Sequence, residues 1–161
     1  MKRAVVYFSL TENTKEAAEF VARQIHADIF RLTPVSDRKK SKAEQFLIGG
    51  MRATFSKGEA INPLPVDITE YDEIIIGTPI WSSKGVPAIN TFLNDAAVRE
   101  KICGVLTSSS DGDNVKCIKH FKKMLPNLIH TAALADRKHE ASKDNMVKLE
   151  AFVKDIVKRD A

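Results

Sequence analysis

The sequence predicts an α/β fold, a parallel sheet covered by helices on both faces, and three observations carry that prediction. Apolar runs without polar alternation recur at Ala4-Val5-Val6-Tyr7-Phe8, Ile74-Ile75-Ile76 and Ile102 to Thr107. Such runs belong to strands buried on both faces. Stretches with apolar residues at helical spacing separate them, as at Ala17, Ala18, Val21, Ala22 and Ile25. Strand and helix alternate five times along 161 residues, an order that right-handed crossovers resolve into a three-layer αβα sandwich on a five-stranded sheet. A chain of this length is expected to form one domain, residues 1–161.

Taken in order, residues 4–8 read as the first strand and 14–26 as the first helix, with Asn13 and Glu16 spaced as a cap. Residues 27–32 read as the second strand, stopped by Pro34. Residues 41–56 place Ala43, Phe46, Leu47, Met51 and Phe55 at helical spacing around Gly49-Gly50, which predicts a bent or broken helix. Residues 57–71, with Pro63 and Pro65, read as connection. The third strand, residues 74–76, is followed by a loop from Gly77 to Gly85. Pro87 then opens a helix with Ile89, Phe92, Leu93 and Ala96 inward. The fourth strand, 102–107, leads into the loop Ser108 to Asn114. Cys117, Ile118, Phe121, Met124 and Leu125 mark the next helix, and 127–134 the fifth strand. Ser142 is placed to cap a last helix with the stripe Met146, Leu149, Phe152, Val153, Ile156 and Val157.

In open parallel sheets, ligands sit beyond the carboxyl ends of the strands. Three polar loops belong there: Ser9-Leu10-Thr11-Glu12-Asn13-Thr14, Gly77 to Gly85, and Ser108 to Asn114. The first joins a strand to a helix. Its backbone N–H groups and the helix dipole suit an anion without any Lys or Arg, and Ser9, Thr11, Asn13 and Thr14 add side-chain donors. The same residues also suit an ordinary helix start. The second loop carries the only tryptophan, Trp81, which can stack on a flat ring or pack beneath its own loop.

Missing motifs exclude several chemistries. No Gly-x-Gly-x-x-Gly follows the first strand, no glycine-rich loop ends in Gly-Lys-Ser/Thr, and no Gly-x-Ser-x-Gly elbow occurs. Cys103 and Cys117 form no Cys-x-x-Cys pair, which argues against a metal or disulfide framework. No catalytic side chain and no metal ligand is nominated. Apolar residues make up 43% and charged residues 29% of the chain, and no run is long and apolar enough to span a membrane. The run after Lys2-Arg3 is too short for a signal peptide, so a cytoplasmic location is expected. The net charge of +4, densest at Arg38-Lys39-Lys40 with Lys42, reads first as a solvated face, with an acidic partner or a phosphorylated ligand as the other reading. Nucleic acid is not expected, because Arg38-Lys39-Lys40 and Lys42 lack interleaved aromatics.

The residues also carry a resemblance. Ser9-Leu10-Thr11-Glu12-Asn13-Thr14 resembles the phosphate loop of flavodoxins, Ser/Thr-x-Thr-Gly-x-Thr. Tyr71 to Trp81 resembles the third strand and flavin-stacking loop of that family, Ile89 to Leu93 the helix that follows, and Phe46 to Met51 a segment of one branch. The resemblance implies strand order 2-1-3-4-5 and FMN as cofactor. It places Ser9, Leu10, Thr11, Glu12, Asn13 and Thr14 around the phosphate. Thr78, Pro79, Ile80, Trp81, Ser82 and Ser83 would flank the ring, with Ser108, Ser109, Ser110, Gly112 and Asp113 at its pyrimidine edge. Glu12 stands where the family has Gly, and the third loop lacks the covering aromatic of electron-carrier flavodoxins. The implied function is electron transfer or flavin-dependent oxidoreduction, with a redox protein or a small molecule such as NAD(P)H or quinone as partner. A flavin-free binding or regulatory module on the same fold is the alternative.

Overall fold

The computed structural model describes residues 1–35 and 58–160; the glycine-interrupted helix expected over 41–56 lies outside them. Five parallel strands form one sheet in the order β2-β1-β3-β4-β5. They are β1 (Arg3–Tyr7), β2 (Asp28–Arg31), β3 (Glu73–Pro79), β4 (Ile102–Ser109) and β5 (His130–Ala135). Helix α1 (Glu12–Gln24) follows β1, and α2 (Pro87–Phe92) and α3 (Ala96–Lys101) follow β3. Helix α4 (Val115–Lys122) follows β4, and α5 (Asn145–Lys158) closes the chain. The topological switch lies between β1 and β3, where successive connections leave toward opposite edges.

Strand periodicity divides the core into two layers. Ala4, Val6, Phe8, Ile74 and Ile76 face α2, α3 and α4, packing with Ile89, Val98 and Phe121. Val5, Tyr7 and Ile75 face α1 and α5, packing with Val21, Leu149 and Phe152. Ile74, Ile75 and Ile76 are fully buried, each worth roughly 1.5–3 kcal/mol against exposure. Gly104 lets Phe152 reach the sheet, since a Cβ there would lie 3.0 Å from the Phe152 ring.

Strands β3 and β4 run through Pro79 and Ser109, beyond the expected ends, β5 is His130–Ala135, and the helices depart from the sequence-based reading as well. Asn13 lies inside α1, whose N-cap is Thr11; its side chain bonds Asp136 and Arg137 instead of the helix backbone. The helix after Pro87 is two short helices, with Asp95 capping the second through Ala97 N–H. Ser142 caps nothing: its hydroxyl donates to the Arg137 carbonyl inside a 3-10 turn, and α5 begins at Asn145. Met146 and Val157 are exposed, and only Leu149, Phe152 and Ile156 of the expected stripe are buried. No helix among the described residues is long and apolar enough to cross a membrane.

His130, at the start of β5, packs edge-on against Phe152, and its Nε2 is buried without a hydrogen-bond partner. Burial, then Arg159 and Arg3, push its pKa below 6.5, with Asp155 and Glu73 opposing. The unfolded chain therefore binds more protons as pH falls below 6.5, so stability is full above that value and declines beneath it. His130→Gln should flatten the dependence of unfolding free energy on pH between about 7 and 5, read by urea denaturation at each pH. An unaltered slope would assign the loss to other groups.

Candidate functional site

A cleft of about 340 Å³ opens at the carboxyl edge of the sheet. Leu10, Thr11 and Asn13 line it from the β1–α1 connection, Pro79, Ile80 and Trp81 from the end of β3, and Ser108, Ser109 and Ser110 from the end of β4. These nine sequence-nominated residues come from all three polar loops. Asp136, just past β5, completes the lining. Sequence reasoning missed it because no local motif marks it; only the β4–β5 pairing of Ser109 with Ala135 brings it here.

The start of α1 borders the cleft through Thr11 and Asn13. Thr11 is extended and makes no side-chain cap, so the first-turn N–H groups carry the positive end of the helix dipole without a capping oxygen. Ser9 and Thr14 are buried and engaged internally. Ser9 Oγ donates to the Thr11 carbonyl. Thr14 Oγ1 and Ser108 Oγ share a 2.6 Å hydrogen bond that joins α1 to the end of β4. Asn13 bridges two groups, donating to Asp136 Oδ2 at 2.8 Å and accepting from Arg137 Nε at 3.0 Å. Arg31, at the end of β2, donates to the Ser9 carbonyl at 3.0 Å. Two guanidinium groups thus border a loop that contains no basic residue, and both arrive by long-range pairing.

Glu12 is the first residue of α1 and does not have positive φ. The steric demand for glycine at this place is therefore absent, and the residue's charge is what distinguishes it. Its carboxylate is exposed and pairs with Lys15 Nζ at 2.9 Å. That hydrogen bond, with Lys15, Arg31 and Arg137 nearby, holds it below the usual carboxylate range.

Trp81 is 5% exposed. Its ring meets Phe8 edge-on at 5.9 Å and belongs to the core layer beneath the cleft, while still forming part of the cleft wall. The packing role and the lining role coexist. Thr78 lies within β3, paired with Thr107; its buried hydroxyl donates to the Pro79 carbonyl and accepts from Val86 N–H. Ser9, Glu12, Thr14, Thr78, Ser82, Ser83, Gly112 and Asp113 are outside the cleft lining. In the third loop, Ser109 Oγ accepts from Gly112 N–H, and Asp111 Oδ1 from Asp113 N–H. Asp113 Oδ1 accepts from Val115 N–H, holding the start of α4. Gly112 has φ of +85°, which suits glycine. Asp136 accepts from Lys138 N–H and Asn13, which keeps it ionised and below the usual carboxylate range.

Ser82 and Ser83 sit at the tip of a two-residue turn, with φ of 51° and 60°. Trp81 and Lys84 close it through reciprocal backbone bonds of 2.9 and 3.0 Å. This is the type I′ pattern, which favours Asn-Gly; left-handed backbone costs a residue with Cβ roughly 1–2 kcal/mol. Ser83→Gly should therefore raise stability by about 1 kcal/mol, measured by chemical denaturation. A loss of stability would mean that the Ser83 side chain contributes more than its backbone costs.

The family model described as flavodoxin matches residues 2–153. No curated protein matches the chain by sequence. Among solved structures, a candidate flavoprotein from Bacteroides eggerthii DSM 20697 superposes with a TM-score of 0.70 at 22% identity, covering 94% of this chain and 97% of that one. A flavoprotein from Lactobacillus acidophilus NCFM, solved in complex with FMN, gives 0.65 at 19% identity, covering 91% and 97%. A candidate flavoprotein from Bacteroides uniformis ATCC 8492 gives 0.67 at 24% identity, covering 88% and 96%. At these identities the structural likeness shows the fold alone.

Proposed function

The chain belongs to the flavodoxin family, and from that premise we propose that it is an FMN-binding redox protein. The observation that carries the reading is the cleft at the switch point, with an apolar wall of Leu10, Pro79, Ile80 and Trp81 and an uncapped helix start at its end. The residues present fit such a group. The wall suits a flat ring, and the α1 N-terminus suits a phosphate. The similar flavoprotein solved with FMN supports the same cofactor here.

When bound, the flavin supplies reversible electron uptake, and the protein supplies position and field. The first-turn N–H groups of α1 and the Thr11 hydroxyl would hold the phosphate, with Arg31 on the Ser9 carbonyl beside them. Ser9 and Thr14 shape this loop through their internal bonds. Leu10 and Trp81 would exclude water from one side of the ring. Asp136 keeps a negative charge in the lining, which disfavours added negative charge on a ligand there. No side chain is needed as acid or base. The electron donor or acceptor is a redox protein or a small molecule such as NAD(P)H or quinone, in the cytoplasm. A flavin-free binding module is the second reading, favoured by the Ser9 and Thr14 hydroxyls being satisfied without a ligand.

Titration with FMN tests this directly. Binding should perturb the flavin absorption spectrum and quench the emission of Trp81, the single tryptophan. Unchanged spectra and emission at excess FMN would favour the flavin-free reading.

Glu12→Gln should tighten FMN binding modestly at low salt, with the gain vanishing as salt screens the phosphate; riboflavin binding should stay level. Glu12→Gly should gain no more than Glu12→Gln, because no positive φ is relieved. Calorimetric titrations of both variants with both ligands check this. A larger, salt-independent gain for the glycine variant would contradict the helical geometry at residue 12.

A further inference from the structure

From Asn114 to Leu134 the chain has four lysines, two histidines and no acidic residue. The structure gathers the lysines on one short element. Cys117 and Phe121 bury one side of α4, while Lys116, Lys119, Lys122 and Lys123 are all exposed. Lys116 and Lys119, Lys119 and Lys122, and Lys119 and Lys123 stand at spacings where like charges repel. Among the described residues, none of the four side chains makes an ion pair or a hydrogen bond. The helix dipole favours Lys122 and Lys123 at the last turn, but disfavours Lys116 in the first. Stability alone does not account for this arrangement.

Helix α4 is tied to two of the loops that line the cleft. Helix α4 begins one residue after Asn114, whose side chain donates to Thr107 at the end of β4. The turn carrying Trp81 packs directly on α4: a Cβ at Gly85 would meet the Phe121 ring at 2.8 Å. Lys84 in that turn lies close enough to His120 to help, with Lys123 and burial, depress its pKa. His120 is therefore mainly neutral at pH 7, and the positive charge of the face comes from lysines. The acids nearest to it in sequence, Asp111 and Asp113, lie in the preceding loop and accept backbone N–H bonds.

We propose that the exposed face of α4 is a docking surface for an acidic protein partner brought against the rim of the cleft. The proposal rests on the FMN reading for its purpose, and on the lysine arrangement for its existence. Complementary charge of this kind accelerates encounter and fixes orientation more than it adds affinity.

The test uses the full chain and a variant carrying Lys116→Gln, Lys119→Gln, Lys122→Gln and Lys123→Gln, with Lys122→Gln plus Lys123→Gln as an intermediate. Circular dichroism and FMN affinity should match the parent. The first readout is anaerobic reoxidation of the two-electron-reduced, FMN-loaded protein by ferricyanide. Two ferricyanide ions each accept one electron per flavin, and the flavin releases its protons to solvent. The parent rate should fall roughly tenfold or more between about 10 and 300 mM salt, and the fourfold variant should be slower and flatter. Hexaammineruthenium(III), a cationic one-electron oxidant, should show the reverse order. Rates insensitive to the substitutions would overturn the proposal.

The second readout is anisotropy of labelled poly-glutamate, which needs no flavin. Binding by the parent that is lost in the variant supports the surface. Equal binding by both, or tighter binding of duplex DNA at the same salt, overturns it. Failure to take up FMN would remove the proposed function, and the poly-glutamate readout would still decide on the surface.

Discussion

The close approach of α1 to the sheet at Gly77 determines where the polar end of the cleft lies. A Cβ on Gly77 would stand 3.1 Å from Tyr7 Cβ and 3.3 Å from Thr14 Cγ2, with Ala18 at 3.8 Å. Without it, α1 settles low enough over β1 and β3 for Thr14 to be buried and to reach Ser108 at the end of β4. That bond fixes the first turn of the helix across two strands that are not adjacent in sequence. The direction of the helix dipole follows from this contact. A helix raised by one methyl group would lose the Thr14–Ser108 bond and turn its N–H groups away from the edge where the three loops meet.

The opposite edge of the sheet is organised by paired charge. Arg3 is buried, and its guanidinium bonds Glu73 at 2.8 Å and Asp160 at 2.5 and 2.7 Å. Arg159 adds a second contact to Glu73 at 3.3 Å. The start of β1, the start of β3 and the chain beyond α5 are thereby joined. Each charge at this edge has a partner, as burial requires. At the carboxyl edge the chain instead tolerates a left-handed serine pair and a run of unneutralised lysines. Local strain persists where surrounding structure over-determines it, and the closed Trp81–Lys84 turn on a packed α4 provides that support.

Most elements were legible because they depend on local patterns, whereas the strand order, β2-β1-β3-β4-β5, came only with the family resemblance. Ile74-Ile75-Ile76 is a buried strand whatever surrounds it, and α1 announces itself through Ala17, Ala18, Val21 and Ala22. The misread details have a common cause in longer-range competition. Asn13 and Glu16 have the spacing of a cap, but Asp136 and Arg137 recruit them from the far side of the sheet. Thr78, Pro79, Ser108 and Ser109 read as loop because they are polar or proline, yet parallel pairing carries β3 and β4 through them. Asp136 and Arg31 escaped notice for the same reason. Their places at the site come from strand register, which no single segment encodes. Trp81 was posed as either stacking platform or local core, whereas a large ring can bury most of its surface against Phe8 and leave one border on the cleft.

The distribution of charge around the cleft follows from these local commitments. Asp111 and Asp113 are held by the turn they close, and Asp136 by Asn13 and the Lys138 N–H, so none can swing outward without breaking a backbone contact. Their charges remain, fixed at the rim. The lysines of α4 begin at the next turn and are free of such bonds. A charged partner approaching α4 would therefore meet the carboxylates of the β4–α4 loop first and the lysines beside them. A uniformly basic surface attracts an acidic protein in any orientation. A basic helix set beside fixed carboxylates discriminates, because misplaced acidic groups face Asp111 and Asp113 at a penalty. The carboxylates that anchor the loop thus also supply the repulsive half of orientation, and both halves follow from where β4 ends and α4 begins.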